Sequence, residues 1–92
     1  MEAINLFRRL CNSKDTPDDA VRIRVFTNAE GTVAEVEWPA NDKTDAGDYF
    51  YATYVPLALE RALDVKENYG FAEIVVILDD LSLWRPAWGQ LT

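Results

Sequence analysis

The sequence predicts an α/β (α+β) domain on a small mixed sheet of about four strands, ordered α-β-β-β-α-β-α. Three observations carry that expectation. Ile74-Val75-Val76-Ile77-Leu78 is an unbroken apolar run, as in a strand buried on both faces in the middle of a sheet. Val21 to Thr27 and Thr32 to Trp38 alternate apolar and polar residues about a Gly-containing loop, as a hairpin does. Residues 55–69 gather their apolar side chains on one arc of a 3.6-residue wheel, as a helix lying on a sheet does. A three-strand meander followed by one parallel strand joins these pieces. The alternative is α-β-β-α-β, with residues 49–69 as one helix.

At the N-terminus Ile4, Phe7, Leu10 and Cys11 recur at spacings of three and four, which predicts a short amphipathic helix over residues 3–11. Residues 12–19 are polar, contain Pro17 and read as a flexible linker. In the hairpin, Asn28-Ala29-Glu30-Gly31 is the loop, with Gly31 in the left-handed position. Thr27 then opposes Thr32, Arg24 opposes Glu35 and Arg22 opposes Glu37. Val25, Ile23 and Val21 oppose Ala34, Val36 and Trp38 on the other face. A register shifted by one residue would carry Glu35 and Glu37 onto the apolar face and bury charge.

Pro39 ends the second strand, and residues 39–48 form an Asp-rich flexible loop closed by Gly47. The loop superficially resembles a calcium loop. Counted from Asp42, however, Thr44 and Ala46 stand where acids are required, so no metal is expected there. Tyr49 to Val55 is rich in aromatic and β-branched residues, which favours a strand. Pro56 disfavours a helical residue before it and suits a first helical turn. The expectation is a strand at 48–54 and a helix at 56–69. Ala58 and Ala62 would let that helix approach a sheet closely. Gly70 is placed to end it, with Phe71 folding back onto Val65. The helix then leads into the central strand, 72–78, making a right-handed βαβ unit with parallel strands. Ser82 to Leu91 is expected to make one or two helical turns, with Pro86 near their start.

Composition narrows the function. The 92 residues fit a single domain, and 49% apolar content is enough for a core despite a net charge of −7. No run of about 18 apolar residues is present. No basic region precedes the first apolar stretch, so the chain does not read as a secretory precursor and the cytoplasm is expected. Cys11 is the one cysteine and is expected to be structural or inert. There is no histidine. That removes Ser-His and Cys-His catalysis and the usual zinc sites, leaving carboxylate chemistry with a hard cation such as Mg²⁺. Sixteen acidic against nine basic residues argue against unaided nucleic-acid binding, and with no long apolar run no membrane partner is expected.

Two constellations stand out. Asp79 and Asp80 follow the central strand, and the carboxyl ends of strands are where open α/β sheets bind ligands. They are a possible cation or ligand site. The ordinary reading is that Asp80 or Ser82 caps the last helix. In strand order the chain resembles the ribonuclease-H-like nucleases, with Asp79 or Asp80 matching the acid at the end of that family's fourth strand. The positions for its other acids, near Thr27-Asn28 and near Thr53, carry no carboxylate. The resemblance therefore implies the fold without two-metal chemistry.

The second constellation is Trp84, Arg85 and Trp88. Two tryptophans four apart share one face of a helix, and Trp and Arg are enriched at interface hot spots. Tyr49, Phe50 and Tyr51 add further aromatic surface. The ordinary reading is that both tryptophans cover one end of a small core. Arg8-Arg9 is a small basic spot, expected to be solvated.

The sequence thus points to a small acidic, cytoplasmic, non-enzymatic protein-interaction domain without cofactor, acting by self-association or by docking on a protein partner. One alternative is a degenerate ribonuclease-H-like or other carboxylate-dependent hydrolase or cation binder centred on Asp79. Another is an acidic inhibitor or adaptor that mimics nucleic acid.

Overall fold

The structure is a computed structural model describing residues 6–10, 17, 19–42, 47–78 and 80–91. Its centre is the apolar run noted above. Strand β5 (Glu73–Ile77) lies between β1 (Leu6–Leu10) and β2 (Ala20–Asn28) and runs parallel to both. Ile74, Val75, Val76, Ile77 and Leu78 are all buried. The remaining strands are β3 (Gly31–Trp38), β4 (Asp48–Thr53) and the two-residue β6 (Gln90–Leu91). The sheet order is β4-β3-β2-β5-β1-β6.

The expected N-terminal helix is corrected by β1. A central strand has backbone donors and acceptors on both edges, and the meander can pair with only one of them. Residues 6–10 take the other edge, with Arg8 beside Val75 and Leu10 beside Ile77. Phe7 is 1% exposed on one face of the sheet, while Arg8 on the opposite face bonds Glu73 at 3.0 Å. The spacing that suggested a helix spans too few residues to separate a period of 3.6 from a period of 2. Arg9 donates to the Leu78 carbonyl at 2.9 Å, so neither arginine of the basic spot is merely solvated. Ile4 and Cys11 lie outside the described residues, as do most of the 12–19 linker and residues 43–46 of the Asp-rich loop.

The β2–β3 hairpin has the expected register from Arg22–Glu37 to Thr27–Thr32. It continues one pair further, to Asn28–Gly31, so the turn is Ala29-Glu30 rather than four residues. Gly31 has φ 111°, and the Asn28 side chain accepts the Glu30 N–H at 2.8 Å. Arg24 and Glu35 form an ion pair, worth about 0–1 kcal/mol at an exposed site. Arg22 instead donates to the Pro17 carbonyl at 3.4 Å.

Strand β4 forms as expected and pairs antiparallel with β3, with one extra residue bulged into it between the Val36–Phe50 and Ala34–Thr53 pairs. Gly47 admits this return because a Cβ there would collide with the Trp38 carbonyl. Tyr54 alone separates β4 from α1 (Val55–Tyr69), whose first turn contains Pro56. Because β3 opposes both β2 and β4, β4 and β5 run in the same direction. Past Tyr69, Gly70 is left-handed at φ 68°, and the Phe71 N–H bonds the Lys66 carbonyl at 3.1 Å, as in a Schellman end.

Helix α1 covers one face of the sheet with Val55, Ala58, Leu59, Ala62 and Val65, all on the predicted arc. Beneath it lie Phe7, Val21, Ile23, Val36, Ile74 and Val76. The other face has no helix among the described residues. Val75 is nevertheless 0% exposed. Its register neighbours are Arg8 and Arg22, whose aliphatic stems can shield it while their heads reach polar partners.

The expected C-terminal helical turns are two short 3₁₀ turns, Leu81–Leu83 and Pro86–Trp88, followed by β6 beside β1. Pro86 forces Arg85 into extended backbone (ψ 136°), which splits the segment.

Leu78 closes the central strand at 1% exposure. Leu78→Ala should lower the free energy of unfolding by about 2–5 kcal/mol. Leu81→Ala, at an exposed position, should change it by less than about 0.5 kcal/mol. Urea denaturation followed by circular dichroism measures both.

Candidate functional site

Asp79 lies outside the described residues. Asp80 acts on the chain itself. Its Oδ1 accepts the Ser82 N–H at 3.0 Å and the Ser82 hydroxyl at 2.7 Å, capping the first 3₁₀ turn. These two hydrogen bonds from Ser82 hold the Asp80 carboxyl below its usual range. Thr27 and Asn28 end β2 and Thr53 ends β4, at the places where the ribonuclease-H-like pattern calls for acids. Among the described residues no group of three or more His, Cys, Asp or Glu side chains converges as a metal site.

Trp84, Arg85 and Trp88 are brought together, though not on a helix face. Trp84 meets Phe7 edge-on, with centroids 6.0 Å apart, and meets Trp88 at 5.3 Å. Its Nε1–H donates to the Gly89 carbonyl at 3.0 Å. Both tryptophans are half-buried and packed against the core. Arg85 is exposed, its guanidinium 5.9 Å from the Trp88 ring centre. The pair therefore closes one end of the core and holds Arg85 over its outer side.

A larger exposed aromatic surface gathers at the other edge of the sheet. Strand β4 is last in the strand order, and no described strand pairs with its outer edge. Every residue from Asp48 to Ala52 is exposed. Tyr51 is 81% exposed, Tyr54 75% and Tyr49 54%. The Tyr49 and Tyr51 rings meet edge-on at 5.5 Å. Phe50 turns toward α1, where it meets Trp38 at 5.4 Å and lies 5.7 Å beneath the Arg61 guanidinium.

Two open hollows flank this Phe50–Arg61 contact. One, of about 280 Å³, is lined by Phe50, Tyr51, Ala52, Thr53, Leu57 and Arg61. The other, of about 200 Å³, lies toward Trp38, Asp64, Asn68 and Tyr69. Leu57, Arg61, Asp64 and Asn68 follow helical spacing, so one stripe of α1 borders both. The Trp38 and Tyr69 rings stack at 6.4 Å. The Asn41 amide holds the Tyr69 carbonyl at 2.8 Å, tying the start of the loop to the end of the helix.

Tyr49, Phe50 and Tyr51 were visible in the sequence as aromatic surface. Their standing on a sheet edge was not, because edge position depends on the order of all the strands.

The fold and this edge define a mixed α/β sheet domain with one helix-covered face and an aromatic outer strand. No protein-family model, curated protein or solved structure matches the chain.

Removing the Ser82 hydroxyl should raise the Asp80 titration midpoint toward its ordinary value. The native fold favours the ionised carboxyl, so this contribution to stability is complete above the ordinary carboxylate value and fades as pH falls through the lowered one. Carboxyl chemical shifts of the parent and of Ser82→Ala, titrated by NMR, measure the change. Trp84→Ala should cost about 2–3 kcal/mol of stability, short of the cost at a fully buried tryptophan, and Arg85→Ala less than about 0.5 kcal/mol. Thermal unfolding compares the two.

Proposed function

We propose that the chain is a non-enzymatic protein-interaction domain of the cytoplasm, acting by self-association or by docking on a protein partner. The observation that supports this best is the outer strand β4, with Tyr49, Phe50 and Tyr51 exposed along an edge and Tyr54 beside them. Sheet edges are usually blunted by charge, proline or coverage, since an open edge invites another strand. Tyrosine offers large, rigid contact area at small entropic cost and is enriched where protein interfaces are buried. A net charge of −7 favours a partner with a basic surface over one presenting phosphates. No helix among the described residues is long and apolar enough to cross a membrane. In this reading Trp84, Arg85 and Trp88 form a second contact, with Arg85 as its exposed member.

The test is the double variant Tyr49→Lys/Tyr51→Lys. Light scattering and cross-linking should show that the parent chain associates, with itself or with a host protein, and that the variant does so at least tenfold more weakly. That ratio is about 1.4 kcal/mol, below the cost of losing one strong interface anchor. Stability should move by less than about 0.5 kcal/mol, because both side chains are exposed. A parent chain that stays monomeric and retains no partner beyond those the variant retains overturns the proposal.

A further inference from the structure

We propose that the groove between the outer edge of β4 and α1 receives an extended, basic segment of another protein as an added strand. This rests on the interaction reading above and names the occupant. The backbone argument comes first. β4 has one paired edge, toward β3, and an outer edge that no described strand occupies. The backbone N–H and C=O groups along an outer edge point away from the paired strand, and at the start of β4 the Tyr49 N–H donates to the Asp48 carboxylate at 2.8 Å. An incoming strand takes up such groups in turn, and alternate side chains of that strand face the groove.

The side-chain argument follows the two hollows. The first, walled by Phe50, Tyr51, Ala52 and Leu57, suits an apolar side chain. The second combines the rings of Trp38, Phe50 and Tyr69 with the Asp64 carboxylate. Aromatic faces beside a carboxylate suit a lysine or arginine, with its stem on the rings and its head at the acid. Asp64 forms no ion pair with any described residue. Arg61, the cation of this stripe, leans over Phe50 at the divide between the hollows. Leu57 and Asp64 are about 10 Å apart along a helix rising 1.5 Å per residue. Strand side chains on one face repeat every ~6.8 Å. The apolar and basic residues of the incoming segment therefore stand two or four positions apart.

The charge argument selects among occupants. Glu60 and Glu67 lie on the same exposed side of α1, and Asp48 begins β4. The chain as a whole carries −7, which attracts a basic segment and repels a second copy of itself.

The probe is the end-blocked peptide Thr-Leu-Thr-Lys-Thr-Lys-Thr, which places leucine and both lysines on one face of a strand. It is titrated into the full chain by tryptophan fluorescence and calorimetry, with light scattering on the same samples. Saturable one-to-one binding is expected. Asp64→Lys should weaken it at least tenfold while leaving the circular dichroism unchanged. Methylating alternate peptide amides, or replacing both lysines by glutamate, should abolish it. No binding by the parent peptide, or equal binding by either altered peptide, overturns the inference. If that failure comes with a dimer that Tyr49→Lys/Tyr51→Lys dissolves, the occupant is a second copy and the interaction reading stands. If it comes with a monomer and no retained partner, both fail.

Discussion

Everything in this fold answers to one requirement: a strand apolar on both faces needs cover above, cover below and a hydrogen-bonding neighbour on each side. Water cannot take any of these roles for Ile74 to Leu78 without exposing their side chains. The meander meets the need on one flank through β2, and β1 meets it on the other. Helix α1 covers one face. On the opposite face Arg8 and Arg22 flank Val75 in register, and Val75 is buried there although no described helix covers it. β4 and β6 come to the two outer positions as a result of this arrangement.

What the sequence revealed and what it hid divide along physical lines. The hairpin register was legible because it is a local choice between burying valines and burying glutamates. The extent of α1 was legible because Pro56 and Gly70 act on the backbone where they stand. The first strand was not legible. Leu6 to Leu10 has no turn partner nearby, and what makes it a strand is an edge some 65 residues away, where Arg8 meets Glu73. The C-terminal segment was legible as one or two helical turns with Pro86 near their start; that Trp84 and Trp88 do not share a helix face was not, because the extended backbone before Pro86 splits the segment into two 3₁₀ turns. The candidate surface was half legible. Aromatic composition drew attention to Tyr49, Phe50 and Tyr51, but sequence has no means of stating that a strand is outermost.

The two aromatic groups differ in how they are held. At one end, Trp84 is locked by Phe7, Trp88 and a hydrogen bond to its own chain, leaving Arg85 as the outward member. At the other, Tyr49 and Tyr51 touch chiefly each other, while Phe50 is wedged between Trp38 and Arg61. Rings with only two side-chain torsions, in contact with one another and wet on their outer faces, present large contact area at small entropic cost on binding. Asp48 also tempers the edge. Its carboxylate accepts the Tyr49 N–H, and a charge at the start of the strand together with the bulge makes indiscriminate edge pairing less favourable.

The middle position of β5 also bears on how the molecule comes into being. A ribosome delivers the sheet from its flanks inward: β1 and the whole meander emerge while the piece that belongs between them is still unmade. Until residues 73–77 leave the exit tunnel, β1 and β2 each show a bare parallel edge with nothing correct to pair with. Parallel pairing at long sequence separation is slow, and bare edges seek substitutes during the wait.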